Sequence, residues 1–444
     1  MREATRRPQN KTPHSSAVRV AVALAFFLFA GACCTRAALA AECDSTSKGF
    51  IPINDLGAGT YQGYQGGLYP GGLNLIPPAH LAAGLDQAAL IEPLDALGVP
   101  DPVNGWIVLL SVGMCNTSQE YSSFMALANA YAQKNPRVFL LNGAQGGMSA
   151  QEIADENSAF WDVIDDRLAN NGLSRAQIQA VWFKEANANP MEAFPAHADS
   201  LRDQFFRAVR IARGLYPNAR LCYFSSRIYA GYASTTLNPE PYAYEGGFAV
   251  KWLIESQIDG NDSLNFDPAE GAVNAPWLAW GPYLWADGLT PRSDGLVWRC
   301  SDVREDDGTH PSNSGRAKVG NLLLSFLIAN PTSTPWFLSG ASDVGGPPPP
   351  GAGFDVSRAS PNPFTERTAI TLSLARERPV RVDVVTVSGR RLKTLAASTL
   401  PAGEWRFEWD GTDGDDTRVG SGVYFLRVQS DGAKTRTERV TLAR

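Results

Sequence analysis

An aspartate stands three residues before a histidine in Asp307-Gly-Thr-His310-Pro311. That spacing can bring a carboxylate onto one imidazole nitrogen. The carboxylate fixes the ring's tautomer and stabilises the imidazolium that forms when the other nitrogen takes a proton. Three further loops carry the partners such a base would need. Gly113-Met114-Cys115-Asn116-Thr117 sets a thiol on a turn that glycine makes possible. Asn142-Gly-Ala-Gln-Gly146-Gly147 leaves backbone N–H groups bare enough to approach a substrate oxygen. Lys184-Glu185-Ala186-Asn187-Ala188-Asn189-Pro190 offers side-chain amides to the same oxygen. Nucleophile, base, orienter and oxyanion donors are the parts of an acyl-transfer site.

Each of the three loops follows an apolar run. Trp106 to Ser111, Val138 to Leu141, Ala180 to Phe183 and Ala219 to Phe224 read as strands. Helical patterns fill the intervals, from about Gln119 to Gln133, Ala150 to Asn170 and Ala196 to Leu215. A last one, Ser314 to Ala329, follows His310. Strand and helix alternating at this spacing predict a parallel sheet covered on both faces, with ligands outside the carboxyl ends of its strands. From about Phe354 the pattern changes to short alternating runs such as Val380 to Val387 and Val423 to Val428, broken by Gly-, Asn- and Asp-rich turns. That predicts a small β-sandwich. The predicted organisation is an export signal over 1–40, an α/β domain over 41–337, a Pro/Gly-rich linker over 338–353 and the sandwich over 354–444.

The export signal rests on Arg2, Arg6, Arg7, Lys11 and Arg19, the apolar run Val20 to Ala32, and the cleavage-like triplet Ala38-Leu39-Ala40. The apolar run is too short for an ordinary membrane span. A secreted or cell-surface location follows as an expectation. A net charge of -6 supplies no basic stripe for nucleic acid. No C-x-x-C or histidine-rich spacing suggests a metal, and no cofactor is implied. After cleavage Cys43, Cys115, Cys222 and Cys300 remain, enough for one or two disulfides in an oxidising compartment.

In order, GMCN, NGAQGG, KEAN and DGTHP resemble the four blocks of the SGNH hydrolases, secreted α/β esterases and deacylases with a three-layer, flavodoxin-like parallel sheet. The similarity spans about Ile107 to Phe326. The forms of the blocks are similar to the sialate and xylan acetyl-esterase branch. The resemblance implies an acyl-ester hydrolase acting on a polysaccharide or glycoconjugate. It implies Cys115 as nucleophile, His310 as base and Asp307 as its orienter. Gly147, in preference to Gly146, and Asn187, with Asn189 nearby, would line the oxyanion hole. The family has serine where this chain has Cys115, and three readings stay open. The thiol is the nucleophile, it is bound in a disulfide to Cys43, Cys222 or Cys300, or the site binds glycans without turnover, as a surface adhesin would. Asn116, Lys184, Glu185, Arg227 and Tyr229 are candidate substrate contacts. For Lys184 and Glu185 the alternative is an ion pair at the sheet edge; for Arg227 and Tyr229 it is loop packing. Trp277, Trp280, Tyr283 and Trp285 read as an aromatic-rich loop, either sugar-stacking or core.

Ser360-Pro-Asn-Pro-Phe364, Ser388-Gly389-Arg390, Pro401-Ala-Gly403, Trp409-Asp410-Gly411 and Ser421-Gly422-Val423-Tyr424 resemble Ig-like domains of the flagellar hook-cap (FlgD) type. Related modules end exported proteins as type IX secretion sorting domains. That resemblance implies export or surface display, with the secretion machinery as partner, and no chemistry.

Overall fold

Five apolar runs pair in parallel to form the sheet that carries the four loops. They are β1 (Ile107–Gly113), β2 (Val138–Asn142), β3 (Ile178–Lys184), β4 (Leu221–Phe224) and β5 (Trp277–Trp280). β1 and β3 are buried at every residue, as strands covered on both faces must be. The computed structural model describes residues 40–339 and, with short gaps at 357–358, 375–376, 387–389, 402, 416 and 431–435, residues 354–443. All but the last residue of the expected export signal, and all but the start of the linker, lie outside the described residues.

The strand order is β2-β1-β3-β4-β5. This is one of the two common doubly wound orders, and its direction reverses between β1 and β3. Helix α1 (Cys115–Ala130) follows β1 and packs against α5 (Asn313–Ala329), the helix after His310. α3 (Ala196–Leu215), after β3, packs against α4 (Tyr242–Ile258), after β4. Right-handed crossovers put α1 on one face of the sheet and α3 and α4 on the other, since the chain leaves the switch point in opposite directions. One helix expected over Ala150 to Asn170 is two pieces, Ala150–Ile153 and α2 (Ala159–Asn170). The break falls at Asp155 to Ser158, where the Ser158 hydroxyl accepts the Phe160 N–H at 3.3 Å and starts a new helix.

The aromatic-rich loop is a correction. Trp277 to Trp280 is the fifth strand, and Trp277, Trp280 and Trp285 are buried to within 2%. They fill the core and offer no surface to a sugar.

An N-terminal strap closes this unit. Ala41 N–H donates to the Glu305 carbonyl at 2.8 Å and Glu42 N–H to that of Tyr232 at 2.9 Å. Cys43 is disulfide-bonded to Cys300, with a Cα–Cα distance of 5.3 Å. The strap thus lies on the loop that leads into Asp307 and His310. A Cys43→Ala/Cys300→Ala double variant is expected to lose about 2–4 kcal/mol of stability, the usual contribution of a disulfide closing a long loop. A lower midpoint in chemical denaturation checks this.

Chain contacts divide the molecule near residue 342 into two compact units. The second holds two antiparallel sheets. One contains β9 (Arg391–Leu400), β8 (Arg378–Thr386), β11 (Gly422–Ser430) and β12 (Arg436–Leu442), in that order. The other contains β10 (Gly403–Trp409), β7 (Thr368–Leu374) and β6 (Phe354–Val356). Tyr424, Leu426 and Val428 alternate inward along β11 to join Val380, Val382 and Val384 in a separate apolar core. The Trp409-Asp410-Gly411 turn anchors it: Trp409 Nε1 donates to the Thr412 carbonyl at 2.8 Å, and Asp410 Oδ1 accepts the Thr412 hydroxyl at 2.7 Å.

Candidate active site

Cys115 is the first residue of α1, two positions beyond the end of β1. The passage from strand to helix is tight. A Cβ on Gly113 would fall 2.2 Å from the Lys184 carbonyl oxygen, so only glycine fits between β1 and β3. The Thr117 hydroxyl fastens the first turn of the helix to the same carbonyl at 2.6 Å. The Cys115 N–H is one of the leading N–H groups that a helix leaves without an internal acceptor. Its sulfur also sits at the positive end of the helix dipole.

His310 reaches this sulfur from 195 positions away in sequence, with Nε2 3.0 Å from Sγ. Its Nδ1 donates to Asp307 Oδ2 at 2.7 Å. The other oxygen, Asp307 Oδ1, accepts the backbone N–H groups of Thr309 (2.8 Å) and His310 (2.9 Å), which locks the carboxylate to its own turn. Gly308 makes that turn at φ +60, and a Cβ there would meet the Tyr232 carbonyl at 1.8 Å. The loop after β4 closes the arrangement: Ser234 N–H donates to the Asp307 carbonyl at 3.0 Å, and the Thr235 and Thr309 hydroxyls share a 2.7 Å hydrogen bond. His310 and Asp307 keep 18% and 15% of their side-chain surface exposed, so the line of three opens to solvent.

The electrostatics favour a thiolate facing an imidazolium. Burial, the largest influence on Cys115, pushes its thiol up; the hydrogen bond and charge of His310, the charge of Arg227 and the Asn116 N–H together bring it below its usual value. His310 is raised, first by its hydrogen bond to Cys115 and then, against burial, by Asp307. Asp307 is held low: burial pushes it up, and the two backbone N–H groups and the imidazole outweigh it.

Cys115 carries a free thiol, because Cys43 and Cys300 bond to each other. Cys222, also free, is buried in β4. The disulfide reading of Cys115 is thereby excluded.

The donors of the second and third loops are less simply disposed. Gly146, rather than Gly147, is the glycine set against Cys115; its Cβ position lies 3.7 Å from that of the cysteine. Gly147 (φ +80) borders open space and turns the chain away. Asn189 also has positive φ, and its carboxamide oxygen accepts the Thr236 hydroxyl at 2.5 Å. Asn187 is half-buried and has no side-chain partner among the described residues, which leaves its amide available.

All five candidate substrate contacts are buried and are corrected. Lys184 is 1% exposed and pairs with Glu120 at 2.8 Å beneath the loop, so it has no surface to give a substrate. Tyr229 is equally buried; its hydroxyl donates to the Ser45 carbonyl at 2.7 Å and its ring packs on Tyr232 and Trp285. Glu185, 2% exposed, accepts the Ala186 N–H, and burial pushes its carboxyl well above the usual range against the pull of Lys184 and Arg227. That shift favours its protonated form. Asn116 is 1% exposed, with Oδ1 4.0 Å from the sulfur. Arg227, 2% exposed, directs Nη1 at Met114 Sδ, 3.8 Å away.

Sequence reasoning missed Glu120. The signal was present: Thr117, Glu120, Tyr121, Phe124 and Ala128 recur at helical spacing, and all five are buried. A carboxylate on that stripe demands a buried cation. Among the described residues no cluster of His, Cys, Asp or Glu could hold a metal ion, and no helix is long and apolar enough to cross a membrane.

No curated protein matches the chain. Among solved structures, FlgD from P. aeruginosa is 26% identical over 18% of this chain and 61% of its own, with a TM-score of 0.15. Dimeric latent PorU from Porphyromonas gingivalis is 17% identical over 20% of this chain, which spans only 9% of PorU, with a TM-score of 0.18. The periplasmic domain of a lipopolysaccharide acetyltransferase from Salmonella ser. Paratyphi A is 11% identical over 57% of this chain and 98% of its own, with a TM-score of 0.29. Scores this low transfer neither fold nor function to the whole chain. One family model, described as the FlgD Ig-like domain, matches residues 362–434. Its span falls within the antiparallel unit described above, and the C-terminal part of this chain is therefore an Ig-like domain of the FlgD type.

Proposed function

We propose that the α/β unit is an SGNH-type hydrolase that cleaves acyl esters, most simply acetyl esters, on carbohydrate or glycoconjugate substrates. The observation that carries this reading is the hydrogen-bonded line Cys115–His310–Asp307, at 3.0 and 2.7 Å, at the switch point of a doubly wound sheet. In this reading the Cys115 thiolate attacks the ester carbonyl carbon, and the carbonyl oxygen becomes a tetrahedral oxyanion. On the same reading the Cys115 N–H, a backbone N–H of the Gly146-Gly147 turn and the Asn187 amide receive it. As the intermediate collapses, the C–O bond breaks and the His310 imidazolium gives its proton to the departing alcohol. His310, neutral again, takes a proton from water; the hydroxide attacks the thioester, the C–S bond breaks, and the carboxylic acid leaves as the thiolate and imidazolium are regenerated.

The test is turnover of a chromogenic acetyl ester. Wild-type protein is expected to release the chromophore, with a stoichiometric burst if deacylation of the thioester is slow. Cys115→Ala is expected to abolish release. Wild-type protein that is folded and inert, with Cys115→Ser active, would show a degenerate site instead. We further propose that the FlgD-type domain serves export or surface display as a type IX sorting module. Deleting 354–444 is then expected to leave the protein in the periplasm.

A further inference from the structure

Around Arg227 the chain gathers ionisable side chains that the mechanism above does not use: Glu120, Lys184, Glu185 and Glu240. Lys184 and Glu120 pair with each other. Burial pushes the Glu185 carboxyl well above its usual range. Glu240 receives the Ala230 N–H at 2.9 Å, the Trp285 indole N–H at 2.8 Å and the Tyr244 N–H at 3.0 Å, and burial, opposed by these donors, pushes it up to about 7. Like Glu120, Lys184 and Glu185, Arg227 carries buried polar atoms without a hydrogen-bond partner. It is 2% exposed, and its Nε and Nη2 have no hydrogen-bond partner. Its one directed contact, Nη1 to Met114 Sδ, is with the residue that precedes the nucleophile. A guanidinium stripped of water with two nitrogens unmatched is costly to fold, and chains keep such groups where their charge has a use.

We propose that Arg227 is a positioning residue for the nucleophile, a fixed cation beside Met114 that holds the neighbouring Cys115 sulfur as thiolate. Unlike an imidazolium, a guanidinium keeps its charge at every working pH and cannot quench the thiolate by proton transfer. Burial lowers the Arg227 guanidinium's pKa against the charges of Glu120, Cys115, Glu185 and Glu240, and the Arg227 charge in turn helps lower Cys115. This inference builds on Cys115 as nucleophile, but its test does not need turnover.

The test is the pH dependence of Cys115 alkylation by iodoacetamide, followed by peptide mass spectrometry without substrate. Arg227→Met and Arg227→Gln, each first shown to unfold cooperatively, should react about tenfold more slowly near neutral pH, the change one pKa unit makes to the thiolate fraction. Arg227→Lys should retain the wild-type profile. A folded neutral variant with the wild-type profile would overturn the proposal, as would a Lys variant as slow as the neutral ones. Should neither neutral variant fold, the Lys variant alone decides by the same criterion. If the wild type turns over no ester yet shows this Arg227 dependence, the hydrolase reading fails and this one stands.

Discussion

On the proposed hydrolase reading, replacing His310 with alanine is expected to lower kcat/KM for an acetyl ester by about 10⁴-fold or more, on the scale seen when one member of a nucleophile–base pair is removed. Asp307→Asn is the more informative companion, since it keeps the shape of the turn and removes the charge. The Asp307 carboxylate serves as acceptor for Nδ1–H, leaving Nε2 facing the sulfur. An asparagine can present its NH₂ to Nδ1 and turn the imidazole into the wrong tautomer.

The pH profile carries the sign of the same chemistry. Cys115 is lowered and His310 raised, so each shift favours the charged form of its group. As pH falls through the Cys115 value the nucleophile is lost. As pH rises through the His310 value the alcohol loses its proton donor. Ester turnover is expected to be bell-shaped, whereas alkylation, which needs only the thiolate, rises and stays level. A turnover profile with no fall on the basic side would mean that His310 does not protonate the leaving group.

Reading the sequence alone located the sheet and the ends of its strands, because burial on both faces forces apolar runs and the parallel crossovers force helices between them. It brought Cys115, His310 and Asp307 into one hypothesis because each is tied to a turn with its own local signature. What it missed depends on contacts with no local signature. Whether Lys184 faces solvent or Glu120 is decided by the packing of α1 on the sheet. That Cys43 pairs with Cys300 is decided by the path of the strap, since four cysteines allow three complete pairings. Tyr229 went astray for another reason, which also left the Trp277 to Trp285 stretch open between sugar stacking and the core that it fills. An aromatic side chain with a polar tip suits a binding surface and a hydrogen-bonded core equally well, and only the acceptor, the Ser45 carbonyl for Tyr229, distinguishes the two.

Lys184 gives the second large effect, on stability rather than turnover. Its ammonium and the Glu120 carboxylate lie 2.8 Å apart with 1% and 0% of their side chains exposed. Burial lowers the Lys184 ammonium's pKa, and the Glu120 charge opposes that shift. Lys184→Met strands a carboxylate in the interior and is expected to cost about 3–5 kcal/mol. Glu120→Gln placed on top of it removes the stranded charge, so the double variant should regain most of that loss. Urea midpoints of the two single variants and the double complete the cycle. Additive losses would mean that the two groups do not stabilise one another. A lysine that touched substrate would behave otherwise: KM would rise in Lys184→Met while the unfolding midpoint stayed near wild type. The buried geometry predicts the reverse, a lowered midpoint with KM for the surviving folded protein unchanged.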